Sequence, residues 1–543
     1  MQTTRPTTAH SWRSMDPDAV SHRRWLILGI LCMSLVLVVV ANTALNVALP
    51  TLVRELHAGS TELQWITDAY ALVFAGLLLP AGALGDRFGR KGALQFGLAV
   101  VGVAALLSTF STNPSQLIAT RALMGLGAAF VMPATLSILA NVFPPEERAR
   151  AIAVWAGFAG AGGAIGPVIS GLLLEHFKWA AVFFVNVPIV IVALIAGYLF
   201  VPTSRDPGHG KLDPVGSVLS IIGLGSLLYA IIEAPVNGWA SPPTIGAFAV
   251  AALAIVGFVI WEARNESPML PMEFFKNRRF SIGAATITLT FFTMFGLFFI
   301  LTLYLQFVEG YSPIIAGVAT FPLAAMMIIF APRSAGFVVK WGQYRVQAFG
   351  LTLVAVGLLV LTMLTPSSSY LVVAVGLAFM GVGVACTTAP ATNAIIGSVP
   401  LSKSGVGSAV NDTTREVGGA LGIAVLGSVM SSAFRSTMGT KVTSLPADVA
   451  AMAQDSVGGS FEASKSLGSA GQALRDSASL AFTDAMHTTL FMGAGVAILA
   501  ALMVYFLFPR GPAPAWGGGH GAAAPQAESD PAPERHRLEA DPA

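Results

Sequence analysis

The chain has 543 residues, 55% of them hydrophobic and only 11% charged, with a formal net charge of +2 and a mean hydropathy of +0.72. A water-soluble domain cannot carry that balance on its surface, so lipid is the expected solvent. The near-neutral charge also offers no field that a nucleic acid would answer. Cys32 and Cys386 stand far apart in apolar runs, without disulfide or metal-ligand spacing, and no metal or other cofactor is expected.

In chain order, residues 1–21 read as a polar arm, and no cleavable signal pattern follows, because the first apolar run continues past a short h-region. Crossing a hydrocarbon core about 30 Å thick takes roughly 20 apolar residues, since backbone groups in lipid must bond within their own segment. Fourteen segments meet this demand: 25–49, 62–83, 93–110, 116–140, 149–174, 178–200, 214–234, 243–262, 280–308, 312–331, 345–364, 370–396, 405–433 and 486–508. They divide into a first group of six over 22–203, a pair with its linkers over 204–279, and a second group of six over 280–510. A long loop, 434–485, separates the last two spans; it is rich in Ser, Ala and Gly and has room for a short interfacial helix. The Pro/Gly/Ala tail 511–543 cannot bury a core and is expected to be disordered.

Orientation follows from counting cations. With the N-terminus in the cytoplasm, 22 Lys and Arg fall in inside segments and six in outside loops, with Arg121 and Arg415 inside spans. That bias places both termini in the cytoplasm, which an even number of crossings requires.

Three motifs carry chemistry. The loop after span two reads Gly82-Ala83-Leu84-Gly85-Asp86-Arg87-Phe88-Gly89-Arg90-Lys91, where Gly82 and Gly89 permit tight turning and one acid with three cations makes a charged latch. Span four holds Arg121 within Arg121-Ala122-Leu123-Met124-Gly125-Leu126-Gly127. A cation at that depth costs a few kcal/mol on insertion scales and should face a partner or a wet cavity, unless it snorkels to the surface. Span five carries Gly157, Gly160, Gly162, Gly163, Gly166-Pro167 and Ser170-Gly171, small residues that let helices approach closely and a Gly-Pro that permits bending. No nucleotide loop is present: the Gly210-Lys211 pair runs into Leu212.

With these motifs the chain resembles the major facilitator superfamily over about residues 25–510, and its fourteen spans resemble that family's drug:proton antiporter branch. The resemblance implies an all-α membrane fold of two six-helix bundles plus two extra central transmembrane helices, and a proton-linked role for the Arg121 motif. It also implies an antiporter motif in span five, with Gly162, Gly166, Pro167 and Gly171 at its positions and Ser170 where glycine is usual. Many relatives place an aspartate before the Asn-Thr of span one; here Ala41 precedes Asn42-Thr43, so that proton site is absent.

Proton carriers are sought among buried acids, whose affinity a moving cation can switch. Asp68 in span two and Arg121 in span four lie at similar depth and are expected to face each other, as a proton switch or as a permanent ion pair. Asp412, Arg415 and Glu416 share one face of span thirteen by i,i+3 and i,i+4 spacing and form a second candidate, for proton or cation or as an inner gate. Such folds hold substrate near the midplane between their halves. The side chains suited to an apolar, cationic guest there are Asn42, Asn46, Trp65, Phe74, Met132, Trp155, Tyr304 and Gln306, with packing as the competing role of each. Glu233 reads as interfacial.

The function expected is therefore proton-coupled export of lipophilic or cationic drugs or natural products across a bacterial inner membrane, by a monomer whose partners are the substrate, protons and lipid. It is not expected to be an enzyme. Export of a lipid or lipidic metabolite, and a membrane scaffold or sensor without transport, are the alternatives.

Overall fold

The computed structural model describes residues 17–56, 60–205, 213–443, 445–468 and 470–511, and every regular element among them is helical. Residues 1–16 and 512–543, most of the expected arm and tail, lie outside these. The first bundle comprises α1 (Pro17–Thr43), α2 (Leu45–Leu56), α3 (Ser60–Phe88), α4 (Arg90–Thr109), α5 (Pro114–Val142), α6 (Pro145–His176), α7 (Ala181–Phe184) and α8 (Asn186–Phe200). The inserted pair is α9 (Pro214–Asn237) and α10 (Pro242–Arg264). The second bundle comprises α11 (Arg278–Leu303), α12 (Pro313–Ala319), α13 (Phe321–Trp341), α14 (Gln343–Leu361), α15 (Tyr370–Ile396), α16 (Ser404–Lys441), α17 (Ala447–Asp455), α18 (Val457–Ser466) and α19 (Ala470–Leu507).

Local chemistry sets the ends. Proline opens α5, α6, α9, α10 and α12, where a missing N–H costs nothing. The side chains of Asn113, Asp213 and Ser369 cap α5, α9 and α15 by accepting from backbone N–H groups of the first turn. Gly238 and Gly342, at φ 93° and 84°, end α9 and α13 in a backbone conformation other residues resist.

Thirteen of the described helical stretches are long and apolar enough to cross a membrane. The 32-residue α6, which covers the expected fifth span and runs alongside α1 and α13, is not among these thirteen. The first expected span is interrupted, because α1 gives way to α2 at Ala44. The ninth ends in a π turn, Tyr304–Val308, a wider winding found often where helices serve function. The last two crossings are longer than expected: α16 and α19 each have 38 residues, about 57 Å at ~1.5 Å per residue. They project past the bilayer and, with α17 and α18, turn the expected loop into a helical cap packed on the second bundle.

One apolar core fills the first bundle and another fills the second and its cap. A third joins Leu79 of α3, Phe258 of α10, Met269 and Leu270 of the following linker, and Phe280, Ile395 and Val406 of the second bundle. The inserted pair is thus tied to both halves, with α9 lying against α3 and α16.

Candidate functional site

Two places concentrate buried polar chemistry, and the first joins the halves by hydrogen bonds. The first is the face where α3 ends and α16 begins. Asp86, 3% exposed, accepts from Arg90 Nε at 2.7 Å on its own side. From the other half it accepts from Gly405 N at 3.0 and 2.8 Å and from Val406 N at 3.2 Å. A carboxylate therefore closes the N-terminus of α16, whose unpaired N–H groups and positive dipole end favour an anion. Arg90 donates through Nη2 to the Leu401 and Ser402 carbonyls at 2.7 and 3.0 Å, and Ser137 of α5 meets Ser404 at 2.8 Å. Two glycines make this approach possible: a Cβ on Gly82 would lie 2.6 Å from the Gly405 carbonyl oxygen, and one on Gly405 2.6 Å from Asp86 Oδ1.

The other motif residues brace the latch from outside. Gly89, at φ 119°, turns the chain into α4, Arg90 N donates to Ser204 O, and Lys91 Nζ donates to Tyr198 O at 2.7 Å. Arg87 lies over the Phe88 ring. The latch partners Ser404, Gly405 and Val406 carry no motif in the sequence. Small residues opening a helix are their one signal, and it says nothing of a partner 267 to 320 positions away.

The second place is the bundle interior. Arg121 is fully buried and donates Nε to Ile66 O at 3.0 Å, Nη1 to Ala41 O at 3.2 Å and Nη2 to Asn42 Oδ1 at 3.0 Å. Its guanidinium lies 4.6 Å from the Tyr70 ring centre. The break at Ala44 lies three residues beyond Ala41, whose backbone carbonyl accepts from the arginine. Tyr70, in turn, stacks on Phe74. The Asp68 side chain lies outside the described residues; its backbone falls between Ile66 and Tyr70, both of which touch Arg121.

On α16, Asn411 accepts from Thr392 at 2.9 Å and donates to Asp412 Oδ1 at 3.2 Å. Arg415 is 5% exposed and sits between two rings, Trp155 of α6 at 4.9 Å and Phe291 of α11 at 5.2 Å. Asp412 and Glu416 act on it electrostatically. Among the described residues, ion pairs join Arg24 to Glu147, Asp86 to Arg90 and Lys465 to Glu462, and none joins Arg415 to either acid. Glu416 also lies within electrostatic reach of Tyr70 across the halves. Tyr70 and Phe291 were not singled out from the sequence; an aromatic one turn from a buried cation's contact is a signal only once the helices are packed.

The expected substrate residues separate. Asn42 is committed to Arg121, and Trp155 is buried, donating to Thr135 Oγ1 at 3.2 Å. Phe74 and Met132 are buried in the first core. Trp65 faces Tyr229 of α9 at 6.2 Å. Tyr304 is buried with its hydroxyl donating to Glu309 at 2.6 Å and to Thr365 O at 2.8 Å, and Gln306 lies in the adjoining π turn. The Asn46 and Pro167 side chains lie outside the described residues. Gly162 and Gly166 seat α6 against Val39 and Thr43 of α1, and Gly171 seats it against Ile314 of α12. Glu233 accepts from Asn237 at 2.7 Å near the end of α9. No group of three or more metal-ligating side chains occurs among the described residues.

Comparison with known proteins places this architecture. The Major Facilitator Superfamily model matches residues 31–423. Relatives include the multidrug efflux pump LfrA of Mycolicibacterium smegmatis, 34% identical over 90% of this chain and 97% of its own. The tetracenomycin C resistance and export protein of Streptomyces glaucescens is 34% identical over 77% of this chain and 79% of its own. The crystal structure of the human organic anion transporter MFSD10 (TETRAN) shares the fold at a TM-score of 0.57 and 14% identity, covering 89% of this chain and 99% of that one. The latch, the buried interior charges and the paired bundles are those of a multi-pass membrane transporter, and the chain belongs to the major facilitator superfamily.

Proposed function

We propose that the protein exports lipophilic aromatic compounds from a bacterial cell in exchange for protons, with both termini in the cytoplasm of the inner membrane. The observation that carries the export mechanism is the Asp86 latch. It joins the halves at the face where Arg24 of α1 pairs with Glu147 and Arg279 holds the Gly511 carbonyl, the face where α1 begins and α19 ends. By the distribution of cations this face is cytoplasmic, so breaking the latch admits substrate from inside. The names of the relatives, efflux and export proteins, support the direction of transport. Two acids at the α16 cluster and Asp68 beside the Arg121 site are the proton carriers in this reading. Outside protons neutralise an acid, the neighbouring cation is released, and the halves rock about the interior.

The test is flux in reconstituted vesicles. An imposed pH gradient drives uptake of a lipophilic dye into inside-out vesicles by the wild type. Asp68→Asn abolishes gradient-driven uptake while dye binding to purified protein stays unchanged. Gradient-driven flux that survives the substitution overturns the assignment of Asp68, and absence of any gradient-driven flux in the wild type overturns the exporter reading.

A further inference from the structure

Arg415 is a buried cation on α16 with two donors that have no hydrogen-bond partner among the described residues. Arg121, at comparable burial, has Nε, Nη1 and Nη2 all donating. Arg415 has both Nε and Nη2 buried without a hydrogen-bond partner. Those two nitrogens share one edge of the guanidinium, with parallel N–H bonds spaced to meet two oxygens of one planar group. An unmet charged donor in a low-dielectric interior costs free energy, so a site that keeps two of them is expected to be completed by something that enters.

The walls of the site say what enters. Trp155 and Phe291, one from each half, lie 4.9 and 5.2 Å from the guanidinium, and neither supplies an acceptor to Nε or Nη2. Asp412 on the same face adds a buried Oδ2, also without a partner, which suits a donor or positive centre elsewhere on the same molecule. A purely cationic guest would satisfy Asp412 and leave the Arg415 edge empty. A molecule bearing a planar oxyanion beside an aromatic, partly cationic body satisfies both.

We propose that the Nε–Nη2 edge of Arg415 binds a carboxylate or enolate of the exported compound, between Trp155 and Phe291. This makes the transporter selective for aromatic zwitterions and acids over their neutral or purely cationic analogues. The inference rests on the export reading and narrows its substrate class. Because both halves contribute a wall, an occupied site also bridges them, and rocking the halves apart separates Trp155 from the arginine.

Rhodamine B, which carries a free benzoate, and its ethyl ester differ only at the group in question. Binding of each to purified full-length protein, followed by dye anisotropy, compares wild type with Arg415→Lys, which keeps charge without the fork, and Arg415→Gln, which keeps a donor without charge. The wild type should prefer the acid, and both variants should weaken acid binding about tenfold or more while changing ester binding by no more than about twofold. Size-exclusion profiles confirm that the variants are folded. Equal loss of both dyes, loss of neither, or no preference for the acid in the wild type overturns the proposal. Vesicle flux of the ester separates the two claims: if the ester is exported and the acid is not preferred, export stands and the oxyanion site falls.

Discussion

At the scale of single residues, Arg121 and Arg415 show how the same side chain takes two roles according to what surrounds it. Arg121 is saturated by Ile66, Ala41 and Asn42, so it fastens the broken first crossing to α3 and α5. Lysine there reaches one acceptor and loses the planar stack on Tyr70; at about 1.5–3 kcal/mol for a hydrogen bond to a charged group, the expected result is a loss of transport of tenfold or more. The measurement is initial efflux rate normalised to folded protein, and a lysine variant with wild-type flux would assign Arg121 a merely space-filling role. Glycines divide in the same way. A Cβ on Gly125 would lie 2.5 Å from the Tyr70 carbonyl oxygen, a backbone atom that cannot move aside, whereas one on Gly160 meets the flexible end of Met327. Gly125→Ala is therefore expected to destabilise by about 1–3 kcal/mol and Gly160→Ala by less, read as the difference in thermal midpoint of the purified proteins.

At the scale of elements, the latch is an interaction between the end of one helix and the beginning of another. The N-terminus of α16 is uncapped by its own side chains, and Asp86 from α3 takes that role. Asp86→Asn keeps an acceptor but removes the charge that answers both Arg90 and the helix dipole. At about 2 kcal/mol lost, the closed arrangement should give up roughly a factor of 30 in population. Distances between spin labels on the exposed positions Phe88 and Leu401 should then show a second, longer component. Gly405→Ala is expected to do the same by steric means, since its Cβ would meet Asp86 Oδ1 at 2.6 Å and the Gly82 carbonyl oxygen at 2.7 Å. An unchanged single distance in both variants would remove the latch from the gating scheme.

At the scale of the molecule, transport requires the halves to part at the latch. Ser137 and Ser404, with hydroxyls 2.8 Å apart, sit on opposite halves. The pair Ser137→Cys and Ser404→Cys should form a disulfide on oxidation and hold that face shut, and the chain's own Cys32 and Cys386 are buried and free. Efflux should stop on oxidation and return with dithiothreitol, while each single variant stays insensitive. Undiminished efflux in the oxidised double variant would show that this face does not open during transport.

Much of this was open to reading along the chain, because lipid imposes a strong local rule. Each crossing must satisfy its own backbone and present apolar side chains, so the spans stand out one by one, as does the acid-and-cation loop at 82–91. The break at Ala44, the π turn at Tyr304 and the cap over 445–468 did not stand out: α17 and α18 are short and only weakly apolar, and they are held by packing on α16 and α19. What no window of sequence contains is pairing across long separations. The donors that answer the Asp86 charge are backbone N–H groups that any residue but proline would supply, and the carbonyls that hold Arg121 belong to residues with no polar side chain. That Arg121 is saturated and Arg415 keeps an open edge was decided only when the helices packed, since hydrogen-bond satisfaction depends on neighbours that the chain order does not reveal.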